Sequence, residues 1–465
     1  MSHIQAVHRL IEEKSDLFTD MSDRIWEFAE TAFLEKHSSE YIISKLEEQG
    51  FEVERGVCGI ETAFVATFGS AKPIVGFLGE YDALPSLSQE KGIAEYKPIA
   101  SGGNGHGCGH NLLGTGSFAA AVAVKDYMEE NNVIGTVKYF GCPAEEFGDG
   151  KAFMAKAGIF DDLDFALCWH PAPINSVFKM DVLAINQVYF RFKGRSAHAA
   201  ASPHLGRSAL DAVELMNIGV NYLREHIIPE ARVHYAVTNT GGDAPNVVQS
   251  NAEVLYLIRA PRVSQVQSIY ERVCKIAEGA ALMTETELEI VFDSGSSDMI
   301  ENHTLDAVLD ENLRKLDPPK FSKDETAFAV AIRQTLSEEE KNTLWAKGIE
   351  GLALTDEVIG LEDQDSSTGS TDVSDVSWIA PTTQVLTTCF ANGTALHSWQ
   401  AVSQVGTSIG HKGMLYAGKI MAATALDVMK DPELLKKAKE EHGKIAGKEK
   451  YVSPIPDGVQ PGLTE

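Results

Sequence analysis

Cysteine is scarce in this chain: there are six in 465 residues, Cys58, Cys108, Cys142, Cys168, Cys274 and Cys389, and no two form a CxxC pair. They are too few for a disulfide scaffold, which points to free thiols in a reducing, cytoplasmic setting. Positive charge is also in short supply, with 40 Lys+Arg against 67 Asp+Glu and a formal net charge of −27. Such a surface repels nucleic acid and anionic lipid, so neither is expected as a partner, although a local basic pocket remains compatible with it. Apolar runs are broken by Gly or charge before the ~20 residues that a membrane span needs. The N-terminal MSHIQAVHRLIEEKSDLF lacks a charged region followed by an apolar run, so no signal peptide is expected. Internal repeats and long low-complexity tracts are missing as well. With 44% hydrophobic and 23% charged residues, the composition excludes a disordered chain, a collagen-like repeat or a coiled-coil rod.

What is present reads as an α/β protein of two or three domains. Ile4, Val7, Leu10 and Ile11, then Ile25, Phe28, Ala29 and Ala32, fall at helical spacing. A second amphipathic helix is predicted from about His37 to Gln49, with Gly50 as its cap. Short strands follow, and PIVGFLGEY is apolar enough for a strand buried on both faces. The Gly-rich SGGNGHGCGHN leads into an Ala-rich helix, after which strands and helices alternate. Together these predict an α/β sandwich with a mixed central sheet. From about Leu183 the order β-α-β-β-α-β is ferredoxin-like, which predicts an inserted domain over 183–298, with 1–182 and 299–465 forming the main domain. A Gly241–Gly242 turn should join two of its strands. The Lys-rich tail from about Asp431 reads as a solvated helix end and a surface arm.

The chemistry concentrates at predicted strand ends. In Gly105-His106-Gly107-Cys108-Gly109-His110-Asn111, three metal-binding side chains are separated only by glycines, which let the backbone turn tightly enough for neighbours to converge. Taken alone the segment is equally a structural turn. Glu145-Glu146 follow an apolar strand and a proline. An adjacent carboxylate pair is ordinarily solvated, but here one could bind a metal while the other faces a metal-held water. His170, in LCWHPAP, and His397, in TALHSWQ, stand at further strand ends. A lone histidine is more often structural, so the argument is their recurrence in order along the chain. GRSAH is not the GxSxG of a serine hydrolase, and the glycines match neither GxGxxG nor a GK[ST] loop.

The ordered series GHGCGHN, PAEE, WHP, GRSAHAAASPHLGRSALDA, GGDAPNVV and LHS, with GEYDALPSL and GSTDVSDVSW, resembles the two-metal amidohydrolase and aminoacylase/carboxypeptidase superfamily. Within it, the chain is most similar to the branch containing indole-acetyl-amino-acid hydrolases, and the resemblance covers essentially the whole sequence. It implies that Cys108, His110, Glu146, His170 and His397 bind two divalent cations, Zn²⁺ or Mn²⁺, and that Glu145 is the general base toward a metal-held water. Asp82 would support the metal site, His198 would reach the reaction centre from the inserted domain, and Asn246 and Arg259 would bind substrate polar groups. The implied reaction is hydrolysis of an N-acyl amino acid or dipeptide-like amide, with a p-aminobenzoyl-glutamate type of substrate foremost. The inserted domain would be a lid through which the chain dimerises, with a related A-type subunit as the other expected partner. A non-catalytic metal-binding or regulatory relative would keep the ligands without needing Glu145. Three features depart from the pattern: Asn111 stands where many members of the branch have Asp, Glu80 where the wider superfamily has a metal-binding His, and 319–363 is a longer insertion.

Overall fold

The computed structural model describes residues 2–179, 181–365, 368–448 and 450–462. The chain divides into two compact units. The larger contains the described residues of Met1–Met180, Ile300–Ser367 and Val376–Tyr451; the smaller contains those of Asp181–Met299, Thr368–Asp375 and the chain from Val452.

The larger unit is organised around a seven-stranded mixed sheet, in the order Glu52–Arg55, Phe64–Gly69, Thr136–Cys142, Ile74–Glu80, Phe165–Ala172, Thr382–Thr388, Ser176–Val177. The four strands Thr136–Cys142, Ile74–Glu80, Phe165–Ala172 and Thr382–Thr388 run parallel. Their apolar runs are buried on both faces: Val75, Phe77, Leu78, Val137, Tyr139 and Phe140 are all solvent-inaccessible. Helix His110–Asn131 packs against Ile74–Glu80 and against helix Ser408–Lys430. It is buried around most of its circumference, which explains its Ala-rich, weakly amphipathic sequence. The register sets Glu80 opposite Cys142 and His170 opposite Leu386, so the parallel strands end at a common level. In an open α/β sheet that edge, at the carboxyl ends of the strands, is where ligands bind.

The smaller unit has the order Ala184–Lys193, Ala209–Leu223, Arg232–Asn239, Asn251–Ala260, Val263–Thr284, Glu287–Ser296. Its four-stranded antiparallel sheet is arranged Glu287–Ser296, Ala184–Lys193, Asn251–Ala260, Arg232–Asn239. That is the expected β-α-β-β-α-β topology. Burial alternates along Ala184–Lys193 and Asn251–Ala260, since one face of the sheet is covered by the two helices. Edge strand Arg232–Asn239 is largely exposed.

Some details differ from the sequence expectation. The smaller unit also takes in Thr368–Asp375, where Thr368–Gly369 pairs in parallel with Asp181–Val182. Gly241 and Gly242 lie in a connection spanning 240–250, longer than a tight turn. The N-terminal periodicity resolves into helices His3–Glu13 and Ser15–Phe28, and Ala29 ends the second in a left-handed conformation (φ 44°). The insertion supplies helices Lys323–Gln334 and Glu338–Asn342 and buries Ala329, Ile332, Ala346 and Ile349. Among the described residues, no helix is long and apolar enough to cross a membrane.

Candidate metal centre

Each parallel strand of the larger unit delivers donors at its carboxyl end. Ile74–Glu80 ends on Glu80, with Asp82 two residues on; Thr136–Cys142 leads to Glu145 and Glu146; Phe165–Ala172 carries His170; and the segment after Thr382–Thr388 carries His397. Cys108 and His110 bracket the N-terminus of helix His110–Asn131. Gly109 between them has a φ of 82°, which glycine adopts without strain. Gly107 allows close approach, since a Cβ there would meet Leu87 Cδ1 at 2.7 Å and His397 Cα at 3.1 Å.

Three sets of donor atoms converge, with all members of each set within 4.8 Å of one another: Cys108, His110 and His170; Cys108, Glu146 and His397; Glu80, His110 and Glu145. Cys108 Sγ lies 3.4 Å from His170 Nε2, and His397 Nε2 lies 3.1 Å from Glu146 Oε2. His170 Nδ1–H donates to its neighbour Pro171 O at 2.8 Å, and His110 Nδ1–H donates to Asp82 Oδ1 at 2.7 Å. In both rings this turns Nε2 into the cluster, the usual orientation of a metal-binding imidazole. Asp82 also accepts the Glu146 N–H at 2.8 Å, so one buried carboxylate orients two donors.

The electrostatics show what the cluster calls for. Burial opposes charge on Glu80, yet the Lys151 ammonium 2.7 Å away and the neighbouring His110 hold its carboxyl below the usual range. Burial likewise disfavours a charged His110, but Asp82 outweighs it and drives this imidazole well upward. His170 moves down through burial and through His110, whereas burial and the Glu146 carboxylate push the Cys108 thiol well up. Glu35, behind the cluster, is pushed up to about 8 by burial and by Asp82. Glu146 Oε1 is buried and has no hydrogen-bond partner among the described residues, and buried His110 Nε2 makes no well-aligned hydrogen bond, with Glu80 Oε2 3.3 Å away as an ion-pair contact. Buried polar atoms of this kind are rare unless something ligates them. Carboxylates, imidazoles and a thiol around such atoms fit divalent first-row cations, which would pull a thiol toward thiolate.

The sequence-predicted residues therefore fall into two sets. Asp82, Cys108, His110, Glu145, Glu146, His170 and His397 are grouped in the larger unit. His198, Asn246 and Arg259 belong to the smaller unit. There, exposed His198 Nδ1 accepts the N–H groups of Ala200 and Ala201 at 3.2 and 3.1 Å, which leaves the proton on Nε2. Ala199 N–H donates to Asn246 O at 2.9 Å and His198 bridges to Val247, so His198 and Asn246 are neighbours despite their separation in sequence. Half-buried Arg259 donates to Ser370 Oγ at 3.4 Å.

His106, third of the possible ligands in the Gly-rich segment, is turned elsewhere. Its Nε2 pairs with Ile25 O at 3.0 Å, and burial drops it to about 4. Asn111 is also structural, donating to Ser22 Oγ at 3.0 Å and Val405 O at 3.2 Å. Sequence reasoning missed Lys151, fully buried against Glu80; a lysine at the start of the short helix Gly150–Lys156 gives no local sign of burial. It also missed the anchoring of the His397 loop by the insertion. Asn392 Nδ2 donates to Leu352 O at 3.2 Å and to Thr355 Oγ1 at 3.1 Å, Asn392 N–H donates to Ala353 O at 2.9 Å, and Arg333 donates to Asn392 O.

The chain is 49% identical to the B-type subunit of the p-aminobenzoyl-glutamate hydrolase of Escherichia coli (strain K12), over 98% of this chain and 99% of that protein. It is 30% identical to the Xaa-Arg dipeptidase of Mus musculus, over 93% of this chain and 90% of that one. The crystal structure of an aminobenzoyl-glutamate utilization protein from Klebsiella pneumoniae shares the fold, with a TM-score of 0.62 at 18% identity, covering 90% of this chain and 97% of that chain. The model of peptidase family M20/M25/M40 matches residues 76–459. Strand-end donors, an inserted ferredoxin-like unit and this match over most of the sequence lead to one conclusion: the chain is a hydrolytic enzyme of peptidase family M20/M25/M40.

Proposed function

We propose that this chain hydrolyses the amide bond of an N-acyl amino acid, with p-aminobenzoyl-glutamate as the foremost candidate. The observation that carries the reading is the convergence of Cys108, His110, Glu146, His170 and His397 with Glu145 at the ends of parallel strands. The near-full-length similarity to one component of a p-aminobenzoyl-glutamate hydrolase supports the choice of substrate.

The five donors would hold two divalent cations, Zn²⁺ or Mn²⁺, with Asp82 keeping His110 in register. When bound, the cations supply Lewis acidity to the amide carbonyl and lower the pKa of water. Glu145 takes the proton of the attacking water and returns it to the departing nitrogen, acting as base and then as acid. His198, with its proton on Nε2, donates to the carbonyl oxygen as negative charge develops there. Asn246 and Arg259 hold the carboxylate of the amino-acid portion, for which a guanidinium offers bidentate geometry. The smaller unit serves as lid and dimerisation surface, and the exposed edge strand Arg232–Asn239 supports that role. The E. coli relative is by name one of the lettered subunits of its hydrolase, which supports a related A-type chain as an alternative partner. A cytoplasmic location fits the six cysteines, which are thiols rather than disulfides.

The test is turnover by the metal-loaded chain on p-aminobenzoyl-glutamate, other N-acyl amino acids and dipeptides, alone and with an A-type partner. Glu145→Gln is expected to lower kcat by about 10²–10⁴-fold while elemental analysis shows unchanged metal. Full turnover by this variant would remove Glu145 from its role.

A further inference from the structure

Glu35 is a buried carboxyl at the start of helix Lys36–Glu48, in the capping position, yet its side chain caps nothing there. Glu30 fills that role, accepting the N–H groups of His37 and Ser38 at 3.0 and 2.9 Å. Glu35 is turned inward instead. Its Oε1 accepts the Ala144 N–H at 2.9 Å, and its Oε2 accepts the Thr62 hydroxyl at 3.0 Å. Thr62 is held in turn, because Tyr81 OH donates to its carbonyl at 2.6 Å.

Ala144 has a φ of 61°, a left-handed conformation that alanine rarely adopts without being held. Two residues later, Asp82 holds the Glu146 N–H at 2.8 Å. The peptide N–H groups on both sides of Glu145 are thus gripped by buried carboxyl groups from separate segments of the chain. Asp82 grips one and also orients His110, whereas Glu35 grips the other.

We propose that Glu35 is a positioning residue: it secures the left-handed turn at Ala144 and so aims the Glu145 carboxylate. This rests on the reading of Glu145 as the proton-transfer group. Glutamine at position 35 keeps an acceptor for Ala144 N–H and can donate to the Thr62 hydroxyl, whereas alanine does neither.

The experiment compares Glu35→Gln, Glu35→Ala and Glu35→Ala/Ala144→Gly as full-length, metal-loaded enzymes, alongside Glu145→Gln. Each is assayed for kcat, KM, metal content and folded fraction. Glu35→Ala is expected to lose about tenfold or more in kcat, since small misplacements of a reacting group carry penalties of that order. KM and metal content should stay near those of the parent, and Glu35→Gln should recover most of the kcat. Glycine adopts the left-handed turn without strain, so the double variant should regain part of the loss even where Glu35→Ala alone folds poorly. Parent-like kcat in Glu35→Ala overturns the proposal, as does loss in Glu35→Ala that tracks lost metal or lost folded protein with no recovery in the other two variants. If Glu145→Gln itself retains full turnover, the reading of Glu145 fails instead, which separates the two failures.

Discussion

The two sides of the donor cluster are built by different means. On one side His110 is solvent-inaccessible, at the start of a core helix, tied to Asp82 and close to the buried Glu80–Lys151 pair. On the other, the His397 side chain is 54% exposed, its backbone has a φ of 60°, and it sits on a loop anchored by the 319–363 insertion. The buried side takes its order from the sheet, where register and close packing leave one arrangement. The exposed side takes its order from hydrogen bonds: Asn392 donates to carbonyls of the insertion, Arg333 donates back to Asn392 O, and His397 N–H donates to Gly107 O at 2.9 Å. Donors of one cluster can therefore be precise for different reasons, and they should fail differently.

That contrast can be broken or sharpened by substitution. The largest effect is expected at Lys151→Met, which leaves Glu80 buried without its cation. Removing one partner of a buried ion pair typically destabilises by about 3–5 kcal/mol. Chemical denaturation of the metal-free protein should show this loss, and Lys151→Met/Glu80→Gln should restore much of it. Equal stability of Lys151→Met and parent would mean that the pair does not hold the buried side together.

A smaller effect is expected at Arg333→Ala, which removes a charged donor from Asn392 O. Hydrogen bonds to charged groups are worth about 1.5–3 kcal/mol. The variant should bind its cations more weakly in equilibrium dialysis, and the metal-free protein should lose less stability than Lys151→Met does. If global stability falls as far as in Lys151→Met, the loop is part of the core and the contrast disappears.

The subtlest effect is pH-dependent. Burial and Asp82 raise Glu35 from its ordinary 4.5 to about 8 in the folded chain. Between these values the folded state binds a proton that the unfolded state has released, so stability falls as pH rises through this window. Glu35→Gln removes that contribution, so its denaturation midpoint should gain on the parent between pH 5 and 8. A constant difference over that range would show that Glu35 does not titrate as its surroundings dictate.

Much of the fold is legible locally. The apolar run PIVGFLGEY, the Ala-rich helix after the Gly-rich loop and the alternation of NQVYFRFKG each carry the periodicity of their element. The donors are legible for a similar reason, since Cys, His and Glu recur where apolar strands give way to Pro and Gly. Other features have no local signature. His106 and His110 both neighbour glycines, yet one faces Ile25 O and the other Asp82. Glu30 and Glu35 flank the start of the same helix, yet only Glu30 caps it. The choice depends on which segment passes each side chain in space.

The sequence by itself determined the element order, the β-α-β-β-α-β insertion and the inventory of donors, because periodicity and side-chain chemistry act over a few residues. The tertiary structure alone decided which donors meet, through a parallel register that sets Glu80 opposite Cys142 and so ends the strands at one level. It alone also gave Glu80 its lysine, Ala144 its carboxyl and Asn392 its arginine, because a buried polar group must find its partner among whatever the packed chain brings near.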